Sequence, residues 1–221
     1  MKIKICGLTK ECDIDYVNEL LPDYIGFVLA KKSKRYIAPI AAAELRLRLS
    51  PDIAPVGVFV NEPIENILNC IKIGAIDIVQ LHGDEDNRYI ESLKNRTTAP
   101  VIKAFKINEK TEKESINNSK ADFVLLDNGC GEGKTFDWGL AKNIERPYFL
   151  AGGLSVENAK DAISLLHPYG IDVSSGVEEN GTKSYDKIKE FIKICKNGGL
   201  AEWKRTTEDT VFTEGSTYPK P

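Results

Sequence analysis

Histidine is scarce in this chain: His82 and His167 are the only two among 221 residues. That leaves no imidazole cluster for a metal ion, and few side chains other than cysteine that move a proton near neutral pH. The five cysteines, Cys6, Cys12, Cys70, Cys130 and Cys195, are odd in number and scattered. None stands in CxxC spacing, which excludes a zinc knuckle and a redox dithiol. Long apolar runs are missing as well. No stretch approaches the roughly 18 apolar residues of a membrane span, and the N-terminus has no long apolar segment of the secretory type. A cytoplasmic protein with reduced thiols is expected. An excess of charge is also lacking. The formal net charge of -3 points to neither a nucleic-acid partner nor a membrane surface.

What the chain does have is repetition. Eight short apolar runs rich in β-branched residues recur at intervals of roughly 20 to 30 residues, each followed by a polar, helix-like segment. They are Lys2–Cys6, Tyr24–Leu29, Pro55–Val60, Asp77–Leu81, Pro100–Phe105, Asp122–Asp127, Pro147–Ala151 and Ile171–Ser174. Most are nearly continuous hydrophobic strings, the pattern of strands covered on both faces. Thr9 is placed to cap a first helix burying Ile14, Val17 and Leu20–Leu21. Ser184 is placed to cap a last one whose Tyr185, Ile188, Phe191, Ile192 and Cys195 share a face. Strand–helix alternation implies right-handed crossovers and a parallel sheet. Eight units in one α/β domain predict a closed parallel (β/α)8 barrel of the TIM type, compact beside the typical 250 residues or so. Residues 1–197 are expected to form this single domain. Residues 198–221, starting at Gly198-Gly199, read as a polar C-terminal tail that Trp203 and Phe212 are available to pin.

In such a barrel function gathers at the C-terminal strand ends. The polar residues there are Cys6, Ser33 with Arg35, Asn61, Gln80 with His82, Asp127, Gly152-Gly153 and Ser174-Ser175-Gly176. The turns Ala151-Gly152-Gly153-Leu154 and Ser174-Ser175-Gly176-Val177 suit a phosphate, because backbone N–H groups at a tight turn point at an anion. The alternative is two ordinary strand-to-helix turns. A second phosphate motif competes. Asn128-Gly129-Cys130-Gly131-Glu132-Gly133-Lys134-Thr135 approaches a nucleotide-binding loop, GxxxxGK[ST]. Its first glycine is Asn128, a glutamate sits in the cradle, and Phe136-Asp137-Trp138-Gly139 opens no long helix, so nucleotide binding is disfavoured.

A cysteine at a strand end is commonly a small buried hydrophobe. An unperturbed thiol, with a pKa near 8.5, is only a few per cent thiolate at pH 7. Cys6 is therefore either inert or a general base in a site that admits the thiolate. Asp127 is its mirror image. As a general acid its pKa must rise from about 3.9 towards 6 or 7, about 3–4 kcal/mol against the carboxylate. Arg35 lies in the lysine-rich loop Lys31-Lys32-Ser33-Lys34-Arg35, which reads as solvated surface or as a planar cation gripping a carboxylate with two bonds. His82 reads first as a hydrogen-bonded strand-end residue and stands with Arg35 among the substrate-binding candidates. His167, before Pro168, reads as a helix terminus at the opposite rim.

Taken in order, the segments Lys4-Ile5-Cys6-Gly7-Leu8-Thr9, Gly26-Phe27-Val28, Ser33-Lys34-Arg35-Tyr36-Ile37 and Val56-Gly57-Val58-Phe59-Val60-Asn61 resemble the phosphoribosylanthranilate isomerases. The resemblance continues through Val79-Gln80-Leu81-His82-Gly83, Leu125-Leu126-Asp127, Thr135-Phe136-Asp137-Trp138, Ala151-Gly152-Gly153-Leu154 and Asp172-Val173-Ser174-Ser175-Gly176-Val177-Glu178. It implies a (β/α)8 enzyme of tryptophan biosynthesis that needs no cofactor or metal. Its small phosphorylated substrate would be N-(5-phosphoribosyl)anthranilate, rearranged to 1-(2-carboxyphenylamino)-1-deoxyribulose 5-phosphate. It also implies that Asp127 protonates the furanose oxygen, that Cys6 removes the C2 proton, and that Arg35 holds the carboxylate. The phosphate would lie on Gly152, Gly153, Leu154, Ser174, Ser175 and Gly176.

The sequence departs from the family pattern at Cys130-Gly131-Glu132-Gly133, usually Gly-Gly-Thr-Gly, and at Asn180-Gly181 and Lys183-Ser184, usually Pro-Gly and Lys-Asp. None of these removes a catalytic group. The competing readings are another phosphosugar barrel enzyme and a non-catalytic barrel that only binds a phosphorylated ligand. A monomer and a small homo-oligomer are both compatible with the sequence.

Overall fold

The computed structural model describes residues 1–108, 111, 113–127, 138–141 and 144–206, with the backbone alone for Trp138 and residues 198–206. Eight parallel strands follow one another around a closed barrel: β1 (Lys2–Cys6), β2 (Tyr24–Val28), β3 (Ala54–Phe59), β4 (Ile78–Leu81), β5 (Val101–Lys106), β6 (Phe123–Asp127), β7 (Tyr148–Ala151) and β8 (Gly170–Val173). β8 closes onto β1, Lys4 standing opposite Asp172. Every strand lies within one residue of its expected bounds. Helices α1 (Glu11–Leu20), α2 (Pro39–Arg46), α3 (Ile64–Lys72), α4 (Asn87–Lys94), α5 (Lys113–Asn117), α6 (Ala159–Leu166) and α7 (Tyr185–Thr206) form the outer layer. Among the described residues the β6–β7 crossover holds only a 3₁₀ turn, Trp138–Ala141. None of the described helices is long and apolar enough to cross a membrane.

The strands read as continuous apolar strings because both faces are buried. One set of side chains, including Ile3, Ile5, Ile25, Phe27, Val79, Leu126 and Val173, packs outward on Ile14, Val17, Ile67, Ile90, Ile163, Ile188 and Phe191 of the helices. The other set, Val56, Ile78, Ile102, Leu125 and Phe149, fills the barrel. Burial of each such side chain contributes about 1.5–3 kcal/mol. At the N-terminal end of the strands Phe149 makes edge-on contacts with Tyr24 at 5.7 Å and Tyr169 at 5.4 Å between ring centroids. Phe123 stacks on Tyr169 at 5.6 Å. These rings pack together at one end of the barrel interior. Towards the other end Cys6, Gln80, Asp127 and Asp172 line the cavity described below, and Lys4 is fully buried against Asp172.

Local chemistry differs from expectation in three places. α1 starts at Glu11, and it is Asp13, not Thr9, that caps it: Asp13 Oδ2 accepts the N–H groups of Thr9 and Lys10 at 2.9 and 3.0 Å. A carboxylate reaching back from the first turn also suits the positive helix end. Ile14 and Val17 are buried, but Leu21 is the left-handed C-cap, with φ 49° and half its surface exposed. Finally, α7 does not stop before Gly198-Gly199 but runs to Thr206. Each glycine costs a helix about 1 kcal/mol relative to alanine, too little to end one with good helix formers on both sides. The rest of the tail, Phe212 included, lies outside the described residues, as does the Asn128–Thr135 loop.

Candidate active site

A cavity of about 360 Å³ opens at the C-terminal ends of the strands. It gathers Cys6 from β1, Arg35 and Ser33 from the loop after β2, Gln80 from β4 and His82 just beyond it, and Asp127 from β6. Gly152, Gly153 and Leu154 come from the turn after β7, and Ser174 and Ser175 from the turn after β8. Gly176 does not line the cavity; it forms an isolated bridge with Ser155 that ties the two turns together. Asn61 does not line the cavity either. Its N–H donates to Glu85 at 2.7 Å and its side chain is engaged by Asp84. His167 caps α6 with φ 45° beside Pro147 and Tyr169, at the other rim.

Asp127 belongs to a chain of hydrogen bonds. Its Oδ2 lies 3.0 Å from His82 Nε2, and His82 Nδ1 lies 3.0 Å from Gln80 Nε2. With the amide so oriented, Gln80 donates to Nδ1, the ring hydrogen sits on Nε2, and His82 donates to the Asp127 carboxylate. Gln80 Oε1 is then buried without a hydrogen-bond partner among the described residues. Behind this chain Lys103 Nζ reaches Gly83 O at 2.5 Å and Glu85 Oε2 at 2.9 Å, a buried pair that fixes the turn carrying His82.

Cys6 is almost wholly buried, and burial pushes its thiol up; Lys4 and Lys183 pull it back and Asp172 adds to the rise. Lys4 is fully buried and hydrogen-bonds both Asp172 oxygens, at 3.0 and 3.1 Å. Burial acts downward on its ammonium, but Asp172 and Cys6 outweigh that and hold it above its ordinary value.

Arg35 is not a free surface cation. Its Nε and Nη2 form a two-bond fork with Glu178, at 2.6 and 2.8 Å. Glu178 sits on a small hairpin, β9 (Glu178–Glu179) with β10 (Thr182–Lys183), closed by Asn180-Gly181, both at positive φ. That pair favours the tight turn such a hairpin needs. Lys183 stands opposite Glu178 and donates to it at 2.7 Å and to Ser174 O at 2.9 Å. Burial acts upward on the Glu178 carboxyl, but Arg35 and Lys183 outweigh it and hold it down at about 2. Two consecutive left-handed glycines, Gly152 with φ 87° and Gly153 with φ 65°, bend the chain sharply after β7, a conformation that side chains with a Cβ resist.

The family model for N-(5'-phosphoribosyl)anthranilate (PRA) isomerase matches residues 3–194. The chain belongs to the PRA isomerase family. It is 47% identical over 201 residues to the N-(5'-phosphoribosyl)anthranilate isomerase of Endomicrobium trichonymphae, covering 89% of this chain and 98% of that one. A PRA isomerase crystallised with reduced 1-(o-carboxyphenylamino)-1-deoxyribulose 5-phosphate superposes with a TM-score of 0.80 at 39% identity, over 89% of this chain and 99% of that one. Monomers generated from the dimeric enzyme of Thermotoga maritima superpose with a TM-score of 0.79 at 39% identity, with the same coverage. PRA isomerases carry out an Amadori rearrangement in tryptophan biosynthesis, so this chain is an isomerase of that pathway, acting on a small molecule. The sequence reading did not single out Asp172, which lines the cavity, nor Lys4, Glu178 and Lys183, which are tied to its lining through Asp172, Arg35 and Ser174. The signal was present for Lys4: two residues before Cys6 on one strand, it must share the face of Cys6.

Proposed function

We propose that the cavity binds N-(5-phosphoribosyl)anthranilate and converts it to 1-(2-carboxyphenylamino)-1-deoxyribulose 5-phosphate by general acid–base catalysis, Asp127 serving as acid and Cys6 as base. The observation that carries the reading is the convergence of Asp127, Cys6, Arg35 and the two phosphate-suited turns on one cavity. The phosphate lies on the turns Gly152-Gly153-Leu154 and Ser174-Ser175-Gly176, Gly176 acting through the bridge that joins them. The anthranilate carboxylate goes to the Arg35 edge that Glu178 leaves open, Nη1. Asp127 donates its proton to the ring oxygen, the furanose opens, and an iminium forms at C1. The Cys6 thiolate then takes the C2 proton, giving an enolamine that tautomerises to the ketone.

His82 and Gln80 serve the acid. With the Gln80 amide turned over, every donor in the chain reverses: Asp127 O–H donates to Nε2, and Nδ1–H donates to Gln80 Oε1. That arrangement holds the proton on Asp127 and gives Oε1 the partner it otherwise lacks. The free thiols of Cys6, Cys12, Cys70 and Cys195 support a reducing, cytoplasmic setting. The barrel of residues 1–197 works as a single domain, in a monomer or a small homo-oligomer. The test is loss of anthranilate fluorescence when enzyme is added without metal or nucleotide. Fluorescence decaying at the uncatalysed rate while the phosphorylated ligand still binds would favour the non-catalytic barrel.

A further inference from the structure

Lys4 is hard to explain as a stabiliser. A buried ion pair is commonly no better for stability than apolar side chains of similar volume, and the barrel interior just below it is apolar. Its surroundings suggest another role. Lys4 and Cys6 alternate on β1 and point to the same side. A Cβ built on Gly26, the β2 partner of Cys6, falls 2.6 Å from Cys6 Sγ and 3.1 Å from Lys4 Nζ, so the glycine leaves room for sulfur and ammonium to approach each other. Both oxygens of Asp172, the β8 neighbour, anchor Nζ there.

We propose that Lys4 is a positioning residue for Cys6: its ammonium, anchored by Asp172, is the counter-charge held against the sulfur while Cys6 acts as base. This rests on the reading of Cys6 as that base. In the proton-transfer step the S–H bond forms as the C2–H bond breaks. The C2–H electron pair becomes the C1–C2 double bond, and the iminium nitrogen is neutralised. Lys4 stays protonated throughout. The other charges facing the thiol are Lys183 and Arg35, both favouring the thiolate, and Asp172, opposing it. His82 and Asp127 face Asp172 from across the cavity. Lys4 and Asp172 therefore act on Cys6 with opposite signs, so removing one and removing the other should move the thiol in opposite directions.

The experiment is iodoacetamide alkylation of Cys6 as a function of pH in the full-length substrate-free enzyme, read by peptide mass spectrometry because Cys12 is exposed. Lys4→Gln is expected to move the alkylation midpoint to higher pH. A midpoint higher by about one pH unit leaves about tenfold less thiolate at neutral pH. Its kcat should fall and recover in part as the pH is raised. Asp172→Asn is expected to move the midpoint down. Equal midpoints in the three proteins, or midpoints displaced in the same direction in both variants, overturn the proposal. If Lys4→Gln does not fold, Asp172→Asn decides alone, an unchanged or raised midpoint counting against it. Near-normal turnover in Cys6→Ala would instead remove Cys6 as the base while leaving the Lys4–Cys6 coupling measurable in the free enzyme.

Discussion

Asparagine at position 127 separates the proton from the rest of the site. It has almost the shape of aspartate, and its amide meets His82 Nε2 across the same 3.0 Å with either ring tautomer, Nδ2 donating where the Asp127 O–H donates or Oδ1 accepting where the carboxylate accepts. The imidazole, Gln80 and the cavity wall therefore keep their places, and only the transferable proton is lost. A positioned general acid contributes about 10²–10⁴-fold. At about 1.36 kcal/mol per decade, Asp127→Asn is expected to cost the transition state about 2.7–5.4 kcal/mol. Because the proton moves only in the chemical step, the loss belongs in kcat, with KM changed less than about threefold. Continuous loss of anthranilate fluorescence gives both constants, and titration with the reduced product analogue gives binding separately. A kcat within about threefold of wild type, or a loss carried by KM alone, would refute Asp127 as the acid.

Arg35→Ala should chiefly raise KM, by about 10–100-fold for the loss of charge-assisted hydrogen bonds worth about 1.5–3 kcal/mol; an unchanged KM would remove its carboxylate contact. Gly152→Val places a β-branched residue at φ 87°, a strain of about 1–3 kcal/mol. KM for the phosphorylated substrate should rise, while affinity for free anthranilate stays as it was; weaker binding of both ligands would speak against a phosphate site at this turn. The Glu178 carboxyl is depressed to about 2, so the Arg35–Glu178 fork is fully formed above the ordinary carboxylate range and is lost only as the pH falls through about 2. Between pH 4 and 6, roughly, KM should therefore show no acid limb from this pair, and a limb near 4.5 that disappears in Glu178→Gln would contradict the assignment.

The barrel was legible because strands buried on both faces leave a mark that depends on local sequence alone: Val79, Leu81, Val124 and Leu126 face helices while Ile78 and Leu125 fill the interior. Segment order and the strand-end rule then brought Cys6, Asp127, Arg35 and the two turns to one rim. What stayed hidden depends on pairing across the fold. Arg35 lies 143 residues from Glu178 and Lys4 lies 168 from Asp172, and no local pattern links them. Asp13 displaced Thr9 as the cap of α1 because a side chain in the first turn reached back, an option that propensity at one position does not weigh. The orphaned Gln80 oxygen is likewise a property of three residues in space.

The most direct measurement is a crystal structure of this chain with reduced 1-(o-carboxyphenylamino)-1-deoxyribulose 5-phosphate bound. The account predicts the carboxylate within about 3 Å of Arg35 Nη1 and the phosphate oxygens at that distance from N–H groups of the turns after β7 and β8. Asp127 should face the sugar oxygen, with Cys6 Sγ nearest C2. A ligand bound with its phosphate away from those turns, or with C2 out of reach of Cys6 and Asp127 on solvent alone, would contradict it.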